Sequence, residues 1–361
     1  MQTLHILFLY VNQLFHQYKQ RRFKRKSMKK IVSWCLVFGL IVYTHLLNAS
    51  QLAGYELYKE LEPIKIWTQE GTLLLSNSPE TIKQIGILYQ DELQGIGRLV
   101  FHHVNQTDHS DKKLIIIAEN KEEEVQMLRI YRKAVIPPHY HYLKAGEQVL
   151  KDYFHHTVEQ VYFLSPYEKI VLYDSGDTHW PIQTVQSGMM DLEATGTVRI
   201  TFAMLERKDS MEQIENLNSL ERDKAPRGTF RYLTKQHYVL LPSDTNSYYL
   251  IEKDKKGWIQ GTDALTQEKA INYGNYGIMY KITLMAMADT EIFICPRGGI
   301  FQGMVRWEDG QITEIKRPHV FKVNKECIPI GQLKQGEIKT LEYFLPNGSA
   351  APILLGFKVS E

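Results

Sequence analysis

Residues Ile271–Trp307 read INYGNYGIMYKITLMAMADTEIFICPRGGIFQGMVRW. Side chains alternate across a strand, so Ile278, Tyr280, Ile282 and Leu284 would line one buried face. Gly274 and Gly277 supply the backbone freedom for a corner before that strand. Asp289-Thr290 is expected to turn the chain back into a second strand, Glu291–Cys295, and Pro296–Gly299 forms a tight exit. Arg297 is the one residue here whose charge folding leaves unexplained. Arg297 and Trp307 therefore mark the first place to look for a binding surface.

Outward from this stretch, strand patterns continue with few breaks. Thr72–Leu75, Gly86–Gln90, Leu99–Val104, Lys113–Ala118, Val125–Ala134, Leu143–Glu147, Val149–Phe154, Val161–Leu164, Lys169–Tyr173 and Thr197–Leu205 read as strands in the first half. The charged tip Lys121–Glu124 between two such runs predicts a hairpin. No segment of this half shows a 3.6-residue apolar period. Glu206–Arg222 is polar, with Met211, Ile214 and Leu217 at helical spacing, and predicts a short surface helix or loop between two halves. In the second half, Asp309-Gly310 predicts a tight hairpin turn, and Pro346–Ser349 predicts a hairpin joining Lys339–Phe344 to Pro352–Val359. Leu143–Glu147 (LKAGE) and Leu333–Glu337 (LKQGE) suggest a faint repeat in which a Gly-Glu turn precedes an aromatic strand. The expected class is all-β, with two antiparallel immunoglobulin-like β-sandwich domains after an N-terminal hydrophobic segment. Their bounds are 72–205 and 227–361, joined by a polar linker or short helix at 206–226.

The 361 residues are 43% hydrophobic and 11% aromatic, with 21 tyrosines, enough apolar surface for real cores and a lean toward β structure. The formal charge of +2 comes from the N-terminus, where residues 1–49 hold eight of the 43 basic residues and no acid. The remainder carries 35 bases against 41 acids, near −6. A mildly acidic body without a basic stripe excludes nucleic acid as the expected partner. Met28-Lys29-Lys30, the apolar run Ile31–Leu47 and Asn48-Ala49-Ser50 have the order of a secretory signal at 28–49, followed by a linker at 50–71. The same run is long enough to serve uncleaved as a membrane anchor. Residues 1–27 read as an over-called extension upstream of a true start at Met28, or as part of a hydrophobic hairpin with its basic stretch inside. The expected location is extracellular or on the cell surface, membrane-anchored if the signal stays.

Cys295 and Cys327 are the thiols beyond the signal; they form a possible disulfide or remain a pair of buried thiols. His139 and His141, two apart on an extended segment, could face one metal ion, or sit solvated after Pro137-Pro138. His102-His103 and His155-His156 read as strand pairs, one histidine of each inward. Asp174–Asp177 could contribute to a calcium loop, though a polar turn explains it. Trp180, Trp258 and Trp307 lie beside turns, where exposed aromatics could stack on sugars or serve as core lids. No Gly-x-Ser-x-Gly elbow and no complete dinucleotide fingerprint is present, so no catalytic residue is assigned.

The motifs NSPETI…GILYQD (77–91), VFHHVNQT (100–107), IIIAEN (115–120), RGTF (227–230), GTDALT (261–266), NYGNYGIMY (272–280), PRGGIF (296–301) and LPNGSAAPILLGF (345–357) resemble a group of secreted proteins of Gram-positive bacteria. These are labelled copper amine oxidase-like or stalk-domain-containing. The resemblance covers the chain from Leu73 onward, without the small stalk domain, and implies a compartment and a β-rich fold, not a reaction. Copper amine oxidases convert the tyrosine of Asn-Tyr-Asp/Glu beside a copper held by histidines. Here Gly274 and Gly277 follow Asn272-Tyr273 and Asn275-Tyr276, and His139-Tyr140-His141 precedes them, so oxidase activity is not expected. The chain is expected to be a non-enzymatic cell-envelope protein with a binding or structural role. Its partner would be a cell-wall polymer or another envelope protein. Carbohydrate or peptidoglycan recognition is the alternative; a metal-dependent enzyme using His139 and His141 is a further one. No cofactor is expected beyond that possible metal.

Overall fold

The first half of the chain is ordered around very long strands. The computed structural model describes residues 58–253, 255–297, 299–315 and 327–360, so the expected extension, signal and first part of the linker (1–57) lie outside the described residues. In chain order the elements are β1 (Lys59–Glu60), β2 (Lys65–Ser76), β3 (Thr81–Ile82), β4 (Gly86–Asn105), β5 (Lys112–Asn120), β6 (Gln126–Val135), α1 (Tyr142–His155), β7 (Gln160–Leu164), β8 (Lys169–Asp174) and β9 (Val185–Glu206). β4 and β9 pair antiparallel along almost their whole length. The other edge of β9 carries β6 against residues 188–194 and β5 against residues 198–206. β7 then pairs with β6 and β8 with β5.

β5 and β6 therefore do not form the expected hairpin. They are successive parts of one strand track, and the charged tip between them is a bend. Asn120, fully buried, donates to the carbonyls of Glu124, Leu164 and Ser165. Glu122 accepts from Thr197 N at 2.6 Å and from Gln126 Nε2 at 2.7 Å. The strands on either side break register nearby, between Leu93 and Gly95. One sheet is thus folded over at mid-length, and residues from both arms (Leu88, Leu99, Phe101, Leu114, Ile116, Leu128, Ile130, Met190, Phe202) share one core.

The second half continues with β10 (Arg227–Leu241), β11 (Ser247–Ile251), β12 (Gln260–Asp263), β13 (Glu268–Ile271), β14 (Met279–Ala286), β15 (Thr290–Pro296), β16 (Gly303–Trp307), β17 (Ile312–Ile315), β18 (Ile328–Leu333), β19 (Ile338–Tyr343) and β20 (Ile353–Val359). β10 is antiparallel to β2, which is parallel to β4, so one sheet runs from β17 through both halves to β8. A second, five-stranded sheet has the order β1-β11-β20-β15-β18. The apolar faces of β10, β14, β16 and β19 meet those of β11, β15, β18 and β20 in a second core. The all-β class holds, with a sandwich-like packing of sheets.

Two expected hairpins are instead crossings between these sheets. β14 pairs with β10 and β19, while β15 pairs with β18 and β20. The turn at Asp289-Thr290 carries the chain from one layer to the facing one, and Pro346–Ser349 does the same between β19 and β20. Local alternation fits a hairpin and an arch equally well, because both bury one face; only the pairing partner differs. The Asp309-Gly310 hairpin joins β16 to β17 as expected, with Gly310 at φ 90°.

Among the described residues the one α-helix sits where strands and a Gly-Glu turn were expected, which also removes the LKAGE/LKQGE repeat. α1 buries Ala145, Gly146, Val149, Leu150, Tyr153 and Phe154. These fall in two adjacent columns of i, i+4, i+8 spacing, but small residues open both columns and conceal the period. Gly146 is small for a reason: a Cβ there would lie 2.2 Å from the Asn347 carbonyl oxygen. The polar linker forms a 3-10 helix at Met211–Asn216, as expected, and Met211, Ile214 and Leu217 cover Ile115, Ile117, Ala203 and Leu205.

Arg98 of β4 joins the two halves. Its guanidinium, buried, donates to both carboxylate oxygens of Asp191 on β9 (2.6 and 3.0 Å), to Tyr153 Oη on α1 (2.9 Å), and to the carbonyls of Leu233 on β10 (3.0 Å) and Gly277 (2.8 Å). Its plane lies 5.0 Å from the Phe344 ring centroid. Removing one member of such a pair strands a buried charge. Arg98→Met should therefore cost ~3–5 kcal/mol in urea unfolding, and Arg98→Met with Asp191→Leu should recover much of that loss. A double variant no more stable than the single one would contradict this account.

Candidate ligand-binding corner

The sequence placed interest on Ile271–Trp307 and on three tryptophans; the structure brings Trp258 and Tyr273 together at one surface corner. Two turns build it. One leads from β11 through Glu252 and a 3-10 turn at Lys255–Gly257 to β12, and the other is Asn272–Ile278 between β13 and β14. The tandem Asn-Tyr-Gly repeat divides its labour. Asn272 receives Tyr276 N on its Oδ1 (2.9 Å) and donates to the Tyr276 carbonyl (2.8 Å), closing its own turn. Asn275, fully buried and at φ 55°, receives Ile259 N at 2.7 Å and directs its amide at Glu252 Oε1, the Gly257 carbonyl and Tyr280 Oη. It thereby ties the Trp258 turn to the Tyr273 turn. Asparagine suits that position because it tolerates positive φ and offers both a donor and an acceptor.

The two tyrosines then face opposite ways. Tyr276 Oη donates to the Ser349 carbonyl at 2.8 Å, and burial pushes its pKa up to about 12. Tyr273 is 47% exposed, and its ring stands edge-on to Trp258 at 5.2 Å and 89°. Among the described residues Trp258 Nε1 has no acceptor. Beneath the pair, Lys235 donates to the Gly257 carbonyl at 2.6 Å, and burial lowers its pKa. The corner offers an aromatic shelf with an open phenol, Tyr273, beside a half-buried indole whose own N–H is buried. It can stack on an apolar ring face and hydrogen-bond a hydroxyl.

The remaining candidates lie elsewhere. Trp180 and Trp307 are buried, and their indoles donate to the Thr184 carbonyl (3.0 Å) and the Ile330 carbonyl (2.8 Å). They are core lids. Arg297 is half-buried, with its backbone N–H donating to the Pro352 carbonyl. His139 Nδ1 is occupied by His141 N at 2.8 Å, and the two rings lie 5.7 Å apart and tilted. Among the described residues no three His, Cys, Asp or Glu side chains are grouped to hold a metal ion. Asp174 is engaged by Lys113 Nζ (2.8 Å) and Gly176 N (2.8 Å), the arrangement of a polar turn. His102 and His103 are both buried, and His155 and His156 are both exposed at the end of α1, against the expected in-and-out strand pairs. An open groove of about 510 Å³ is lined by His109, Asp111, Gly176, Glu206, Arg207 and Lys208. Its groups largely satisfy one another: Lys112 bridges His109 and Glu206, and Arg207 holds the Gly176 carbonyl.

Cys295 and Cys327 are joined in a disulfide, on the face of the second sheet that carries Leu354 and Leu250. It closes a 32-residue excursion in which the chain leaves β15, forms β16 and β17 in the other sheet, and returns to β18.

No family model matches this chain, and no curated protein sequence does. Among solved structures it is similar to the CUB1-EGF-CUB2 domains of rat MASP-1, at 8% identity and a TM-score of 0.22, over 77% of this chain and 99% of that one. It is also similar to a Paenibacillus xanthan lyase, at 9% identity and a TM-score of 0.18, over 84% of this chain and 26% of that one. TM-scores of this size carry no argument about fold or activity.

Two measurements follow from the site and its surroundings. Burial lowers the pKa of His102 to about 3, and of His103 and His237 to about 4, so all three are neutral in the folded protein. The unfolded chain takes up these protons near pH ~6.5. Stability is therefore full above that pH and falls as pH drops toward ~4, by up to ~1.4 kcal/mol per pH unit for each histidine. Urea midpoints at pH 7.5, 6 and 5 should decrease in that order, and His237→Phe should flatten the slope. Reducing the disulfide, or Cys327→Ser, should cost roughly 3–4 kcal/mol for a loop of this length. Unfolding curves that coincide with and without reductant would refute that.

Proposed function

We propose that this chain is a secreted or surface-retained protein of the cell envelope with a binding role and no catalytic one, and that its ligand is a carbohydrate such as a cell-wall polymer. The observation that carries the reading is the edge-to-face Trp258–Tyr273 pair, with Tyr273 exposed, Trp258 half-buried, and both turns held by the buried Asn275. Sugar rings present apolar C–H faces rimmed by hydroxyls, which suits an aromatic shelf with an open phenol. The location is supported by the signal-like order of residues 28–49 and by the Cys295–Cys327 disulfide, a bond that persists in oxidising compartments. Among the described residues no helix is long and apolar enough to cross a membrane. Membrane attachment would rest on the N-terminal run alone.

The likeness to secreted Gram-positive proteins labelled copper amine oxidase-like belongs to the same proposal, as does the finer fold reading of two immunoglobulin-like sandwiches. The latter is supported by two principal cores, one drawn from the folded-over first sheet and one lying between the two sheets.

Pull-down of the full-length chain on purified cell wall tests the reading. Wild-type protein should be retained, and Tyr273→Ala and Trp258→Ala should each weaken retention about tenfold, the worth of one stacked ring. Equal retention of wild type and both variants would move the ligand away from this corner.

A further inference from the structure

Of the large apolar side chains described, Phe163 is the most exposed, at 72%, and Val161 beside it is 44% exposed. Both stand on the outward face of β7, whose inward residues Tyr162 and Leu164 pack into the first core. Among the described residues β7 pairs with β6 alone, and apart from the Leu164 carbonyl, which accepts from Asn120, its other edge carries unpaired backbone donors and acceptors. Sheet edges in soluble proteins are normally guarded by a charge, a proline, a bulge or a covering element. The sequence of β7, Gln-Val-Tyr-Phe-Leu, has no charge and no proline, and its register with β6 is unbroken. By contrast the neighbouring edge strand β8 begins and ends with Lys169 and Asp174, and Lys169 is tied to Glu215 of the Met211–Asn216 helix.

The unpaired edge calls for another strand, and the pattern of β7 says which. We propose that β7 pairs antiparallel with β7 of a second copy of this chain, about a two-fold axis at Tyr162. In that register Val161 of each copy faces Phe163 of the other, and Gln160 faces Leu164. The two exposed apolar residues of one copy thus cover the two of its partner on the same face. No like charges meet, and the Arg129–Glu159 ion pair (2.8 Å) lies beside the strand in each copy, at the rim of the contact. A five-residue strand pair is smaller than a standard interface, so the dimer is a weak, concentration-dependent one.

Sedimentation velocity of the full-length chain over a dilution series tests this. The wild type should shift from dimer toward monomer on dilution. Phe163→Lys should weaken association at least ~tenfold, with an unchanged melting curve because the side chain is exposed. Val161→Glu should weaken it likewise. Mixing Val161→Glu chains with Phe163→Lys chains places opposite charges across the pair, so the mixture should associate more strongly than either variant alone. A wild type that is monomeric at every concentration overturns the proposal. So does a dimer indifferent to Phe163→Lys, or a mixture that associates no better than its components.

Discussion

The contact between Arg98 and Asp191 is the constraint on which the two halves of this molecule depend. An arginine removed from water must find acceptors for all of its N–H groups, and no single strand can provide them. Here the acceptors come from β9, α1, β10 and the corner before β14. The guanidinium can be satisfied only when all four are in place, so the charge reports on correct assembly of the whole. A hydrophobic replacement could match its stability while losing that demand for a single arrangement. Gly277 shares in the constraint: at φ 78°, its carbonyl is turned toward Arg98, and a Cβ there would press on Val100 at 2.8 Å.

A similar logic explains the motifs that stood out in the sequence. Arg227 of RGTF donates to Asp263 of GTDALT (2.9 Å) and to the carbonyls of Ser78, Leu88 and Leu220, while Asp223 receives Ser78 Oγ and Glu80 N. Asn105 of VFHHVNQT holds the Trp180 carbonyl, and Asn347 of LPNG reaches Ser187. Arg227, Asp263, Asn105 and Asn347 are distinctive because they are buried and specifically partnered. The exposed residue of the tandem Asn-Tyr-Gly repeat, Tyr273, is the exception, and only the spatial neighbour Trp258 makes it notable.

Most strands, the Asp309-Gly310 hairpin, the glycine corner before β14 and the polar linker were legible from alternation and turn chemistry. Partners were not. Nothing in Asp289-Thr290 or Pro346–Ser349 distinguishes a turn within a sheet from a passage between sheets, because the choice is made by strands distant in sequence. α1 was missed for a different reason: Ala145 and Gly146 occupy helix positions where a bulkier side chain would reveal the period, and close approach to Asn347 requires Gly146 to be small. Arg98 does not stand out by alternation or turn chemistry. An isolated arginine entering the apolar run Leu99-Val100-Phe101, and an isolated aspartate after Met189-Met190, were the available signs that two charges are buried together.

The strand order of the smaller sheet bears on how the molecule comes into being. Its central strand is β20, flanked by β11 and β15, and β20 is the last strand in the chain. A polypeptide that emerges from its amino end can pair strands β2 through β9 early, since those strands all precede residue 207, while Arg98 waits for the carbonyls of Leu233 and Gly277. The second core must wait, because β11 and β15 have no hydrogen-bonding neighbour in common until residues 353–359 arrive. Until then the smaller sheet is an unclosed clamp, and residues 353–359 join its two arms.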